Sequence, residues 1–142
     1  MKKNISIPII LVLIFGTLLI FNYYWLNRGE DRENLPKYAQ RTPRVKAAYE
    51  YALEDPELLE HIPCYCNCHR LGHKSVEDCF VSKFKEDGKV VFTEHGANCG
   101  TCYSIVLDSK ELSQEGKTTQ EIRDFIDNKY SRYGLPTNTP KP

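Results

Sequence analysis

Apolar positions along the chain form one unbroken block followed by shorter striped segments. The block is Ile5 to Leu26, about 22 residues without a charge, enough to cross a hydrocarbon core of roughly 30 Å as a helix. Pro8 falls near its start, where a proline forfeits no helical hydrogen bond. Downstream the pattern becomes periodic. Val45, Ala48, Tyr49, Ala52 and Leu53 follow Pro43 at helical spacing, which predicts a helix with one buried stripe. Asp55-Pro56 reads as an N-cap and first-turn proline of a short helix through Leu58 and Leu59, stopped by Pro63. Ser75 and Asp78 look like a capping pair, with Val76, Cys79, Phe80 and Phe84 on an inward helical face. Asp87-Gly88 marks a turn before an extended Val90-Val91-Phe92. Cys99, Cys102, Tyr103, Val106 and Leu107 repeat the helical stripe, which Gly116 ends. Thr118 with Glu121 is a capping box for a last helix carrying Ile122, Phe125, Ile126 and Tyr130, and Gly134 is expected as its left-handed cap.

The expected fold class is therefore mainly α: an N-terminal transmembrane helix, then a small helical cysteine-rich domain. The division is 1–4 cytoplasmic, 5–26 membrane anchor, 27–42 polar stalk, 43–133 cysteine-rich domain and 134–142 disordered tail, the last because it carries three prolines after Gly134 and no period. Lys2 and Lys3 before the block favour a cytoplasmic N-terminus and an extracytoplasmic domain, while Tyr23, Tyr24 and Trp25 sit where aromatic rings meet the headgroups. A cleaved signal peptide is the rival, but the exit from the block has no small-residue cleavage site.

Composition changes the picture in two ways. The 142 residues carry 19 basic and 19 acidic side chains, and zero net charge removes the electrostatic basis for nucleic-acid binding. The chain also holds 6 cysteines, all in the domain. Cys64, Cys66 and Cys68 alternate in one loop, Cys79 lies on a predicted helix face, and Cys99 and Cys102 have C-x-x-C spacing at a helix start, where the dipole favours thiolate. Three separate elements thus aim sulfur at one interior region. Soft thiolates select Cu(I), zinc or iron–sulfur clusters. A single tetrahedral zinc needs four donors, so six crowded thiols fit copper better, as Cu(I) ions sharing sulfurs, with zinc the alternative. His69, His73 and His95 are auxiliary candidates as ligands, whereas His61 reads as a surface residue. No Ser/His/Asp set, phosphate loop or carboxylate pair stands out, so no catalysis is expected.

The competing reading is a disulfide-braced module, the default for an external domain with an even cysteine count. Neighbours two apart are poor mates, so each of the loop trio would need a distant partner. In that case the task would be protein interaction, with Tyr49, Tyr51, Tyr65, Tyr103, Tyr130 and Tyr133 as contacts unless they pack in the core. A redox pair at Cys99/Cys102 is a weaker third reading. The metal reading implies a metal ion, the membrane and a metal-exchange or membrane protein as partners.

Pro63-Cys64-Tyr65-Cys66-Asn67-Cys68 resembles the signature of a family of membrane-attached bacterial proteins named for a PCYCGC motif. Gly72-His73, Asp78-Cys79-Phe80 and His95-Gly96-Ala97-Asn98-Cys99-Gly100-Thr101-Cys102 are similar to that family too, as is the helix from Glu121 to Tyr130. The resemblance covers about 43–133 and implies a bacterial, extracytoplasmic domain without an assigned activity. Asn67 replaces the motif's glycine, and the lipid-anchoring cysteine is absent, which leaves attachment to the apolar block.

Overall fold

The computed structural model describes residues 14–22 and 35–142, which fall in two compact units divided after position 34. In the first unit, 14–22 is helical, with Phe15, Leu18, Leu19 and Phe21 exposed. The rest of the anchor expected over 5–26 lies outside the described residues, as do 1–4 and 27–34. Among the described residues no helix is long and apolar enough to cross a membrane.

The second unit is a small, mainly helical domain with one hairpin. After a 3-10 turn at Lys37–Gln40 come α1 (Pro43–Glu54) and α2 (Pro56–Glu60). Both begin as their sequences dictate: Thr42 Oγ1 accepts from Val45 N–H, the Asp55 carboxylate accepts from Leu58 N–H, and a proline occupies each first turn. Short 3-10 turns at Cys68–Leu71 and Glu77–Cys79 precede β1 (Val81–Phe84) and β2 (Val90–Phe92). The strands pair antiparallel with Val81 opposite Phe92 and Phe84 opposite Val90, and the register slips between Val81 and Lys83. Then follow α3 (His95–Asn98), α4 (Gly100–Gln114) and α5 (Thr119–Tyr130). Gly116 turns the chain out of α4 at φ +80°, and the Thr118/Glu121 capping box is complete.

Helix α1 packs on α4, and α4 on α5. Ile105, Val106, Ile122 and Ile126 are fully buried between them, each side chain contributing about 1.5–3 kcal/mol by leaving water. Asp108 on α4 binds both Lys129 Nζ at 2.6 Å and Tyr130 Oη at 2.7 Å, clamping α4 to α5. Tyr49 ties α1 to the chain around α3. Its hydroxyl donates to Thr93 O and accepts from Ala97 N–H at 3.2 Å, and its ring meets Phe80 edge-on at 4.9 Å.

Five expectations are corrected. The segment expected as a helix over Ser75 to Phe84 is a 3-10 turn running into a strand, because Val81–Phe84 finds Val90–Phe92 across the Asp87-Gly88 turn. The Asp78 carboxylate does accept from Lys74 and Ser75 N–H, but Phe84 points outward. On α5, Phe125 is also exposed, since the buried stripe is only as wide as Ile122, Ile126 and Tyr130. Gly134 is extended (φ 168°) rather than left-handed. A Cβ there would meet Tyr65 O at 2.7 Å, so close approach is what requires glycine. The second half of the stalk belongs to the packed unit, with Leu35 and Ala39 buried. Finally, the tail forms no helix or strand but is held: Thr137 and Thr139 are buried, and Arg123 on α5 donates to Thr139 O at 3.2 Å.

Candidate metal centre

The cysteine loop is positioned from both sides. Ile62 O accepts from Val76 N–H at 2.9 Å, which joins the loop to the turn bearing Cys79. Cys64 N–H donates to Thr137 Oγ1 at 2.9 Å, and Thr137 N–H donates back to Cys64 O at 3.0 Å. Tyr65 Oη donates to the Asp127 carboxylate of α5 at 2.7 Å. Asn67 adopts a left-handed conformation, φ 63° and ψ 22°, immediately before the turn that begins at Cys68. Asparagine bears that conformation better than most residues.

Four sulfurs result in a closed ring. Cys64 Sγ lies 3.6 Å from Cys68 Sγ and 3.5 Å from Cys102 Sγ, while Cys79 Sγ lies 3.7 Å from Cys68 and 3.6 Å from Cys102. All four are buried. Four thiolates around one ion at about 2.3 Å would stand about 3.8 Å apart along a tetrahedral edge, so the ring is close to the size a metal requires. Cys66 Sγ approaches Cys64 at 3.3 Å and Cys102 at 3.4 Å. Cys66, Cys99 and Cys102 form a second group able to hold a cation, and Cys68, His73, Cys79 and His95 a third.

The imidazoles of the third group come from the loop before Lys74 and from α3. His73 Nδ1 is 3.3 Å from Cys79 Sγ, His95 Nε2 is 3.9 Å from Cys68 Sγ, and the two rings meet edge-on at 5.0 Å. Gly96 lets α3 come this close, since a Cβ there would meet the Phe80 ring at 2.5 Å. The structure thus gathers all six predicted cysteines with His73 and His95. His69 joins none of the three groups, and its Nδ1 is buried without a hydrogen-bond partner. Cys99, expected on the buried stripe of α4, is instead its N-cap and half-exposed. The predicted surface His61 is half-buried, with its ring 3.4 Å from Pro140 O in the tail.

Cys66 and Cys68 are joined as a disulfide, while Cys64, Cys79, Cys99 and Cys102 are free thiols. The bridge joins two members of the loop trio. It also differs from the three-cystine framework of the competing reading: a bridge across two residues closes almost no loop, so it hardly restricts the unfolded chain. Of the tyrosines considered as contacts, Tyr49, Tyr51, Tyr65 and Tyr130 are core residues, Tyr103 is half-buried and Tyr133 is exposed.

The free thiols share protons unequally. Donation from Cys102 and then Cys79 holds the Cys64 thiol far below its ordinary value, at about 3. Donation from Cys102 likewise lowers Cys99 to about 6. Cys102 is pushed up because its one proton is held by the surrounding sulfurs, Cys64 foremost and then Cys79 and Cys99, with burial adding to the effect. Burial, and then the neighbouring His95, lowers His73, favouring a neutral ring with a free lone pair. Such a site shares its protons unevenly among the sulfurs, and a cation can displace them.

Two contributors carry no chemical signal in the sequence. Thr137 sits in a proline-rich stretch without period, and Asp127 looks like a solvated helix acid until Tyr65 reaches it.

A family model described as a protein of unknown function with PCYCGC motif matches residues 27–142. No curated protein and no solved structure matches the chain. The motif's glycine corresponds to Asn67, whose φ is positive, a conformation that glycine adopts freely.

Proposed function

Since the chain belongs to the PCYCGC-motif family, which has no assigned function, we propose from its site that it binds a soft metal ion, Cu(I) foremost, to buffer it or hand it on. The observation that carries this is the ring of four buried sulfurs, 3.5–3.7 Å apart, drawn from a loop, a 3-10 turn and a helix. Disulfide bracing would need pairs, and burial of a purely structural thiol needs no such ring. Reduction of the Cys66–Cys68 bond by a dithiol, two electrons and two protons, gives six thiols. Cys64, whose thiol is lowered while those of Cys79 and Cys102 are raised, offers the first thiolate, and the other ring sulfurs follow as bound cation replaces their protons. Burial excludes competing water. Half-exposed Cys66 and Cys99 are the sulfurs that a metal donor or acceptor reaches first.

Copper is favoured over zinc by the surplus of sulfur, because closed zinc sites stop at four donors. A structural zinc in the Cys64, Cys68, Cys79 and Cys102 ring is the second reading, supported by those four being the fully buried ones. Attachment to a membrane with the domain on the extracytoplasmic side is part of the proposal, supported by the uncharged block 5–26, the lysines before it and the exposed apolar helix 14–22. The bacterial setting rests on the family resemblance.

The test is anaerobic titration of the reduced chain with Cu(I) against a Cu(I)-specific chelator, with thiol counting and elemental analysis. The reading expects chelator-resistant copper and thiols protected from alkylation until the metal is stripped. Six freely alkylated thiols with no retained copper would overturn it. Retained zinc that excess Cu(I) fails to displace would favour the second reading.

A further inference from the structure

The three groups of donors are not independent. The four-sulfur ring shares Cys102 with the group of Cys66 and Cys99, and shares both Cys68 and Cys79 with the group of His73 and His95. A single ion in the ring would leave Cys66, Cys99, His73 and His95 idle. Yet these four side chains converge on the ring from different elements: Cys66 from the loop, Cys99 from the N-cap of α4, His73 from the segment before the Glu77–Cys79 turn, and His95 from α3. Bringing two imidazoles and two extra thiols to a buried ring has a cost in desolvation and ordering. Nothing in the packing explains it if only one cation is held.

Assigning one ion to each group uses every donor. Cys64, Cys66, Cys99, His73 and His95 each serve one ion, and Cys68, Cys79 and Cys102 each serve two. Thiolate sulfur has the lone pairs to bridge two soft cations, whereas imidazole nitrogen has one and can only terminate a cluster. The distribution follows that rule: the three shared donors are all sulfur and all buried, and both histidines are terminal. Charge points the same way. Six thiolates around a single monovalent ion leave a net charge of about −5, and three such ions reduce it to about −3.

Resting on the soft-metal reading above, we propose that the site is a shared-sulfur cluster of three monovalent soft ions, Cu(I) or its equivalents. Cys68, Cys79 and Cys102 bridge it, His73 and His95 close its imidazole end, and Cys66 and Cys99 close its accessible end. The two ends differ chemically. The accessible end is all sulfur and exchanges ions with other thiols; the imidazole end holds its ion through mixed nitrogen and sulfur.

The experiment is native mass spectrometry of the reduced full chain loaded anaerobically with Cu(I), beside X-ray absorption at the copper edge. The cluster expects a limit of three ions per chain, falling to two in His73→Gln/His95→Gln and to two in Cys99→Ser. The wild-type spectrum should show nitrogen in the copper shell and a short copper–copper distance, and this measurement does not depend on either variant folding. A limit of one or two ions in the wild type, or an all-sulfur shell without copper–copper scattering, overturns the cluster while leaving thiolate copper binding intact. Absence of retained copper defeats the binding reading itself, so the two failures are distinguishable.

Discussion

Replacing Thr137 by valine tests whether the C-terminal segment supports the cysteine loop. Thr137 Oγ1 is the acceptor for Cys64 N–H at 2.9 Å, and Cys64 has no exposed surface. Valine keeps the shape of threonine but not the oxygen, so the Cys64 N–H loses its partner in a place water does not reach. Leaving a buried donor unsatisfied costs about 1–3 kcal/mol. Thr139 Oγ1, 2.8 Å from Thr137 Oγ1, loses that contact too but keeps its bond to Lys74 O, so the larger share falls on Cys64. For a domain of this size, with an m-value of about 1.5 kcal/mol/M in urea, the midpoint should fall by roughly 0.7–2 M. Thr137→Ser restores the acceptor and should recover most of the loss. The assay is urea unfolding of the reduced, metal-free chain followed by circular dichroism, with the slope checked for constancy. A chain ending at Gly134 should lose at least as much as the valine variant. If Thr137→Val and that shortened chain both stay within about 0.5 kcal/mol of the parent, as ordinary surface changes do, the tail does not hold the loop and the argument fails.

Two further outcomes follow from the site. Asn67→Val forces a β-branched residue into a left-handed backbone and should cost about 1–2 kcal/mol, read as a lowered urea midpoint, whereas Asn67→Gly should stay near the parent; equal losses in both would show that the side chain and not the backbone angle matters there. In the metal-free chain with the Cys66–Cys68 bond intact, Cys99 is the half-exposed free thiol and should be the first alkylated. Because its pKa lies near 6, its rate should rise through that pH and level off above it, instead of climbing toward the ordinary thiol value of 9.0; mass-mapped iodoacetamide labelling between pH 5 and 9 reads this directly.

Much of the domain was legible because its signals are local. The Thr118/Glu121 box, the Asp55-Pro56 start and the Gly116 stop depend on side chains and backbone angles within one turn, and they stand where the pattern puts them. The stripe of α1 largely holds, with Val45, Ala48, Tyr49 and Ala52 buried, whereas α4 buries Cys102, Ile105, Val106 and Ser109, so only Cys102 and Val106 of its expected stripe are fully covered. What escaped was decided by partners far along the chain. Val76, Cys79 and Phe80 fit a helical face as well as a turn leading to a strand, and only the pairing of Val81 with Phe92 chooses between them. Phe125 has helical spacing, but the width of the stripe depends on what α5 packs against. The gathering of sulfur was readable from three cysteine segments pointing inward. The part played by Thr137 was not, because isolated bonds to Cys64 leave no period in a sequence rich in proline.

The phenol of Tyr49 has a consequence for how the domain responds to what it holds. One oxygen is wedged between Thr93 and Ala97, the two residues that flank the His95-Gly96 step, so the first helix grips the very strip of chain that delivers an imidazole to the sulfurs. The backbone that carries this imidazole is thereby fastened to α1 on both sides of His95.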